Sequence, residues 1–498
     1  MTTVIEAAVP TRQPYDGFDK LPIGGVWKHG SSAKRAADLD PYTGDTLVEI
    51  PLASRADVDA AYAAAAAAQP AWEATPPAVK QQVLLAAARI FQERREEIID
   101  WLAREAGSTV IKASFEWQTS LADITQAAAF PYQVHGQIRP SDLPGKENRV
   151  YRQALGVVAV ISPWNFPLEL SMRSVATAIA LGNTVVLKPA TDTPVTGGTL
   201  IAKVFEEAGL PAGVLNVVVG SGSEIGDYLV EHPTAAFVSF TGSTEVGKRV
   251  GALAASGTRL KRVALELGGN GPFVVLDDAD VEAAAKAAVF GRFLHQGQIC
   301  ISTNRIIVDE RVYGPFVEAF VAHAAKLGVG DPKDPATLVG PIINKGQLDG
   351  LVAKIELAKT EGARHLLGGD PDGLVLPPQV FADYPETGVL FREESFGPLA
   401  PIVRAKDEAD ALRLANDSDL GLSSAVFSAD VERGVRFAQR VEAGMTHVND
   451  ITVEGETLVP FGGEKNSGIG RFNSEWIIEE FTRTHWISVQ HTPTDYPV

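Results

Sequence analysis

Apolar runs and apolar stripes alternate along most of this chain. Pro and Gly punctuate the first 50 residues, which hold only short strand-like pieces. Ser54 opens the first predicted helix: it can cap, Asp57 follows three residues on, and an Ala-rich run continues to Ala68. A second helix is predicted over 77–105, with Gly107 as its stop. Residues 130–152 lose the periodicity and read as an excursion from the main core. From Gly156 the pattern changes. Strand-like runs at 157–161, 184–188, 214–219 and 235–240 alternate with helical stretches at 168–181, 194–208, from Ser223 and from Ser243. That alternation predicts a parallel, doubly wound sheet, with ligand sites where its strands end and helices begin. A second series starts near Pro272: strands at 272–276, 305–309, 401–404, 424–428 and 445–449, with helices at 280–290 and 312–327. The tail after Phe481 alternates like an exposed strand, which another subunit can pair.

Composition narrows the class. The chain has 498 residues, 45% apolar and 21% charged, which suits a folded protein of roughly three lobes. A net charge of −18 argues against a general nucleic-acid or anionic-membrane binder. No apolar run reaches membrane-spanning length, and Met1-Thr2-Thr3-Val4-Ile5-Glu6 carries no basic or apolar leader. The single cysteine, Cys300, excludes an intramolecular disulfide and a multi-cysteine metal site, and fits a reducing compartment. The expectation is a soluble, cytoplasmic protein without a metal site.

Five segments carry candidate chemistry. Cys300 follows His295-Gln296-Gly297-Gln298-Ile299, whose polar residues and glycine read as a loop. It is either a small buried hydrophobe or a nucleophile. His295 reads as a polar helix-end residue rather than a ligand. Glu266 interrupts an apolar run before Gly268-Gly269; it is either a solvated strand end or a buried general base. Asn165, between Pro163 and Pro167 after a buried strand, is an ordinary turn residue or a rigid oxyanion donor. Thr241-Gly242-Ser243 joins a strand to a helix and offers free backbone N–H groups to a pyrophosphate, although the Gly-x-Gly-x-x-Gly spacing is missing. Lys188 ends another strand and either bonds a ribose or is solvated. Zinc-protease, Walker and Gly-x-Ser-x-Gly patterns are absent.

In order along the chain stand Pro163-Trp164-Asn165-Phe166-Pro167, Lys188-Pro189, Phe240-Thr241-Gly242-Ser243, Glu266-Leu267-Gly268-Gly269, Gly297-Gln298-Ile299-Cys300, Glu394-Ser395-Phe396-Gly397-Pro398 and Pro460-Phe461-Gly462-Gly463. This set resembles the aldehyde dehydrogenase superfamily from about residue 20 to 490. The resemblance implies an α/β fold: a Rossmann-like cofactor lobe (1–131 and 155–268), an α/β catalytic lobe (269–468) and a small β oligomerisation extension (132–154 and 482–498). It implies a homodimer or homotetramer. It makes Cys300 the nucleophile toward an aldehyde, with the Asn165 side chain and the Cys300 N–H stabilising the oxyanion. Glu266 would activate the water that hydrolyses the thioester, and Glu475 would relay protons. For the cofactor, NAD or NADP, it implies Trp164, Gly242 and Ser243 around the pyrophosphate and Lys188 at the adenosine ribose. Glu394 would hold the nicotinamide ribose, Phe396 would pack on the nicotinamide, and Leu267 would line the site.

Thr191 stands where many NAD-preferring members have a glutamate that binds the ribose 2′-hydroxyl. A threonine does not repel a 2′-phosphate, so NADP is expected to be tolerated. Asn270-Gly271 replaces the commoner Lys-Asn without evident consequence. Residues 168–175 and 295–303 look most like the benzaldehyde and vanillin dehydrogenase branch, implying benzaldehyde, vanillin or a hydroxybenzaldehyde as substrate. Arg173 then either faces a polar ring substituent or turns into a salt bridge. The competing readings are an aliphatic or semialdehyde dehydrogenase and, outside that class, a silent scaffold or a cysteine esterase.

Overall fold

The computed structural model describes residues 12–498. The expectation of no N-terminal leader falls on residues outside this range. The capping box at Ser54 forms: Ala56 N donates to Ser54 Oγ at 3.1 Å, and Ser54 N donates to the Asp57 carboxylate at 3.0 Å. The helix it opens, Arg55–Ala74, runs past Pro70 and beyond the predicted end. The helix predicted over 77–105 is instead two, Pro77–Glu93 and Arg95–Ala106. The break is at Arg94 (φ −103°, ψ 18°), whose buried guanidinium pairs with Glu97 at 2.7 Å and Glu207 at 3.0 Å. A further helix, Val110–Ala127, occupies a segment that the pattern above does not mark.

The first α/β series builds a six-stranded sheet. Its order is Gly468–Ile469, Arg262–Glu266, Ala235–Thr241, Val157–Ile161, Thr184–Lys188, Leu215–Val217. All neighbours are parallel except the Gly468–Ile469 pair. The chain lays strands outward from Val157–Ile161 in one direction, then returns to its other side with Ala235–Thr241. That reversal leaves a crevice at the carboxyl ends of these two strands. The helix predicted over 194–208 opens as a wide turn, Val195–Thr199, before Leu200–Glu207. Buried Glu105 explains the irregular start, because its carboxylate accepts from Val195 N (2.6 Å) and Thr196 N (2.8 Å).

The second series builds a seven-stranded sheet, ordered Arg364–Leu367, Gln379–Ala382, Leu399–Ala405, Thr303–Asp309, Gly271–Val275, Ser423–Phe427, Met445–Val448. Only its first pair is antiparallel. The chain crosses between the sheets through residues 267–270, so Glu266 and Gly269 lie on the seam.

The 130–152 excursion contains strands Gln137–Arg139 and Lys146–Ala154, and the chain end adds Thr482–Gln490. Thr482–Gln490 pairs antiparallel with Lys146–Ala154 of its own chain along its full length. Among the described residues its outer edge is open, and Trp486 is 64% exposed. No helix among the described residues is long and apolar enough to cross a membrane.

Candidate active site at the seam of the two sheets

Cys300 sits just before Thr303–Asp309, at the end of a backbone with three successive left-handed residues: His295 (φ 49°), Gln296 (φ 56°) and Gly297 (φ 71°). Two of these are not glycine, so the surroundings must hold the loop in place. Gln296 Nε2 donates to Pro341 O at 2.7 Å, and Ile343 N donates to Gln298 Oε1 at 3.1 Å. The buried Arg292 guanidinium donates to Thr303 O at 3.1 Å, to Gly297 O at 3.3 Å and to Gly397 O. His295 does lie at a helix end, but it is fully buried, contrary to the polar reading. It stacks edge-on to Phe166 at 5.7 Å, and burial pushes its imidazole well below the usual range. Gly269 faces this loop from the crossing segment, where a Cβ would collide with the Cys300 carbonyl oxygen.

Two cavities meet at Cys300. The larger, about 1390 Å³, occupies the crevice between the sheets. Trp164, Lys188, Thr191, Gly242, Ser243, Leu267, Glu394 and Phe396 line it, together with Asn165, Glu266 and Cys300. Ser243 caps the helix Thr244–Ser256, so first-turn N–H groups face this space. Lys188 lies at the end of its strand, buried, its ammonium pushed down to about 8 by burial and opposed by Asp192. Glu394 accepts from Gly269 N at 3.0 Å, and burial raises its carboxyl to about 7. Phe396 (φ 51°) meets Trp164 edge-to-face at 5.4 Å. A helix N-terminus between a cation and a carboxylate, in a crevice of this size, fits a dinucleotide with its phosphates and riboses.

The smaller cavity, about 660 Å³, also has Cys300 in its wall. Phe115, Phe166, Leu170, Ile299 and Phe461 make it mainly apolar, and Asp123, Glu169 and Arg173 add charge. Asn165 and Leu170 line both cavities. The Asn165 amide nitrogen donates to Gln298 O at 3.0 Å, which fixes the side chain and leaves its second hydrogen for another acceptor. The turn carrying Asn165 is itself anchored: Glu116 accepts from Leu168 N (2.9 Å) and Glu169 N (3.3 Å) at the start of the helix Pro167–Ala180. Lys112 pairs with Glu116, both fully buried. Arg173 makes a salt bridge with Glu266, which decides between the two orientations open to it.

Glu475 departs from expectation. It is exposed on the first turn of Ser474–Glu480 and lines neither cavity. Ile477 and Ile478 form that helix's buried face and turn Glu475 outward. The residues that sequence reasoning missed are Lys112, Glu116 and Asp123. The i, i+4 spacing of Lys112 and Glu116 signals a helical pair, but nothing local signals that it caps a helix some 50 residues on. Among the described residues no group of three His, Cys, Asp or Glu is arranged to hold a metal.

Residues 27–487 match the aldehyde dehydrogenase family profile. The vanillin dehydrogenase of Corynebacterium glutamicum is 55% identical over 471 residues, 94% of this chain and 97% of that protein. The crystal structure of an NAD-dependent benzaldehyde dehydrogenase from the same species superposes with a TM-score of 0.89 at 51% identity, covering 97% of this chain and 98% of that one. The structure of a salicylaldehyde dehydrogenase from Pseudomonas putida, complexed with salicylaldehyde, gives a TM-score of 0.93 at 36% identity over 96% of this chain and 99% of that one.

The Cys300 thiol is pushed up to about 12, chiefly by burial and then by Glu394, with Arg173 opposing. Without cofactor it is therefore protonated at neutral pH. Alkylation by iodoacetamide, read by intact mass on this single-cysteine chain, is expected to accelerate about tenfold per pH unit between pH 7 and 10. A plateau below pH 8 would contradict the burial effect.

Proposed function

The chain belongs to the aldehyde dehydrogenase family, and from that premise we propose that it oxidises aromatic aldehydes, of the benzaldehyde, vanillin or hydroxybenzaldehyde type, to their carboxylic acids. The fold of this family comprises a Rossmann-like cofactor lobe, an α/β catalytic lobe and a β extension, and its reaction is NAD(P)-dependent aldehyde oxidation. The observation that carries the reading is the position of Cys300 between a dinucleotide-sized crevice and an apolar cavity with three phenylalanines. The aromatic assignment draws support from those rings and from the aromatic substrates in the names of the relatives.

In this reading Cys300 Sγ first loses its proton to solvent and then bonds, as the thiolate, to the aldehyde carbon, while the carbonyl π electrons move onto the oxygen as an oxyanion. The free Asn165 amide hydrogen and the Cys300 backbone N–H stabilise that charge. A nicotinamide cofactor held by the lining of the larger cavity would supply the two-electron acceptor for the hydride, and Cys300 would be left carrying the acyl group as a thioester. Glu266 then takes a proton from water as the water oxygen bonds to the acyl carbon. The carbon–sulfur bond breaks, which frees the acid and restores Cys300. Lys188 and Glu394 hold the two riboses, and Trp164, Gly242, Ser243, Leu267 and Phe396 surround the rest of the cofactor. In the lobe division proposed here, 1–131 and 155–268 bind cofactor, 269–468 carry catalysis, and 132–154 with 482–498 mediate assembly. The open edge of Thr482–Gln490 supports a homodimer or homotetramer, whose mass light scattering reads. A cytoplasmic location agrees with a chain holding one cysteine.

The test is a panel of aromatic and aliphatic aldehydes with each cofactor. kcat/KM is expected to be highest for benzaldehyde-type substrates, and Cys300→Ala is expected to lose oxidation by at least about 10³-fold. Preference for aliphatic aldehydes would overturn the substrate assignment, and ester cleavage without cofactor reduction would favour a hydrolase.

Thr191 leaves the adenosine-ribose end without the usual glutamate. NADP is accordingly accepted beside NAD. Thr191→Glu is expected to lower kcat/KM with NADP about 10-fold or more while sparing NAD. An unchanged cofactor ratio would sink the argument.

A further inference from the structure

We propose that Arg173 is a positioning residue that anchors Glu266 and keeps it ionised for thioester hydrolysis; this rests on the roles given above to Cys300 and Glu266. Arg173 is 3% exposed and Glu266 is 1% exposed, and their side chains are paired. The same guanidinium donates to Thr241 Oγ1 at 3.3 Å. Thr241 and Glu266 are register partners at the ends of adjacent parallel strands. Arg173 thus ties the base to the strand ends on which the cofactor crevice is built.

The guanidinium faces are covered. Its carbon lies 4.1 Å from the Phe472 ring centroid and 5.2 Å from that of Phe461. Aromatic rings on the guanidinium leave its edge as the polar surface, and Nη2 on that edge meets both Glu266 and Thr241. The other charged or titratable groups facing Arg173 are Glu169 one turn earlier, Asp123 on the helix Val110–Ala127, and Cys300. Burial raises the carboxyls of both Asp123 and Glu169, and Arg173 opposes that rise in each. Of the carboxylates around the guanidinium, Glu266 is the one in direct contact with it. Among the described residues lining the smaller cavity, Arg173 is the only cation, and Lys188 is the only one lining the larger.

A buried carboxylate without a cation takes up a proton, and a protonated Glu266 cannot take one from water. An Arg173 committed to a ring substituent of the substrate would have to release Glu266. The two roles are therefore separable by experiment.

The experiment measures transient and steady-state formation of reduced nicotinamide across pH for wild type, Arg173→Met and Arg173→Lys, with Cys300→Ala as control. Arg173→Met is expected to show a rapid burst followed by a kcat reduced about 10²-fold, because hydrolysis alone is slowed. Its acid limb of kcat is expected to move up by about 1 to 3 pH units. Arg173→Lys should return the limb most of the way while keeping a reduced kcat, since it restores the charge but not the planar guanidinium that lies over Phe472 and reaches Thr241. A wild-type acid limb and kcat in Arg173→Met, with KM raised only for ring-substituted aldehydes, would overturn the proposal and assign Arg173 to substrate recognition. If Arg173→Met does not fold, Arg173→Lys decides: a burst with lowered kcat and near-native KM supports anchoring, and a wild-type kcat overturns it. Turnover surviving in Cys300→Ala would overturn the thioester reading and this inference together. An inactive Cys300→Ala beside unmoved Arg173 profiles would overturn the inference alone.

Discussion

A backbone that runs left-handed through His295, Gln296 and Gly297 leaves the regular hydrogen-bond ladders, and buried carbonyls left unpaired cost stability. His295 O accepts from Gln298 N at 2.9 Å, and Gly297 O accepts from the Arg292 guanidinium, which also reaches Gly397 O and Thr303 O from within the core. In one side chain it joins the loop ahead of Cys300, the strand after it, and the loop carrying Glu394 and Phe396. Cys300 and residues lining the larger crevice are thereby held in one frame.

Around that frame the electrostatics are concentrated in few groups. Burial raises the Cys300 thiol and the carboxyls of Glu394, Glu169 and Asp123. Buried ions stay charged only where a partner compensates. Lys112 with Glu116 and Arg173 with Glu266 are those partnerships, one on each side of Asn165 along the chain. The first fixes the turn that aims the Asn165 amide. The second holds the carboxylate across the cavity from it.

Much of this architecture is legible in the amino-acid pattern. Alternating strands and helices foretell both parallel sheets, because fully buried strands read as continuous apolar runs. Ser54 with Asp57, the Pro163–Pro167 turn and the Gly268-Gly269 pair are local signals whose mechanism is contained in a few residues. Features that depend on distant partners are not legible. The helix break at Arg94 needs Glu207, more than 100 residues away, to draw the guanidinium aside. The anchoring of Asn165 needs Glu116, in a helix that the pattern did not mark. For Glu475 the family resemblance implies a proton relay, and only the packing of Ile477 and Ile478 shows that its side chain faces solvent. Arg173 lay between two orientations until the position of Glu266 chose one.

The meeting of the two cavities at Cys300 has a consequence for traffic. Cys300 is a shared wall: apart from Asn165, Leu170 and Cys300 itself, the two cavities have no lining residue in common. In the proposed reaction a ring lodged against Phe115 and Phe461 would leave Lys188 and Glu394 free for the cofactor, so the two reactants do not compete for the same lining.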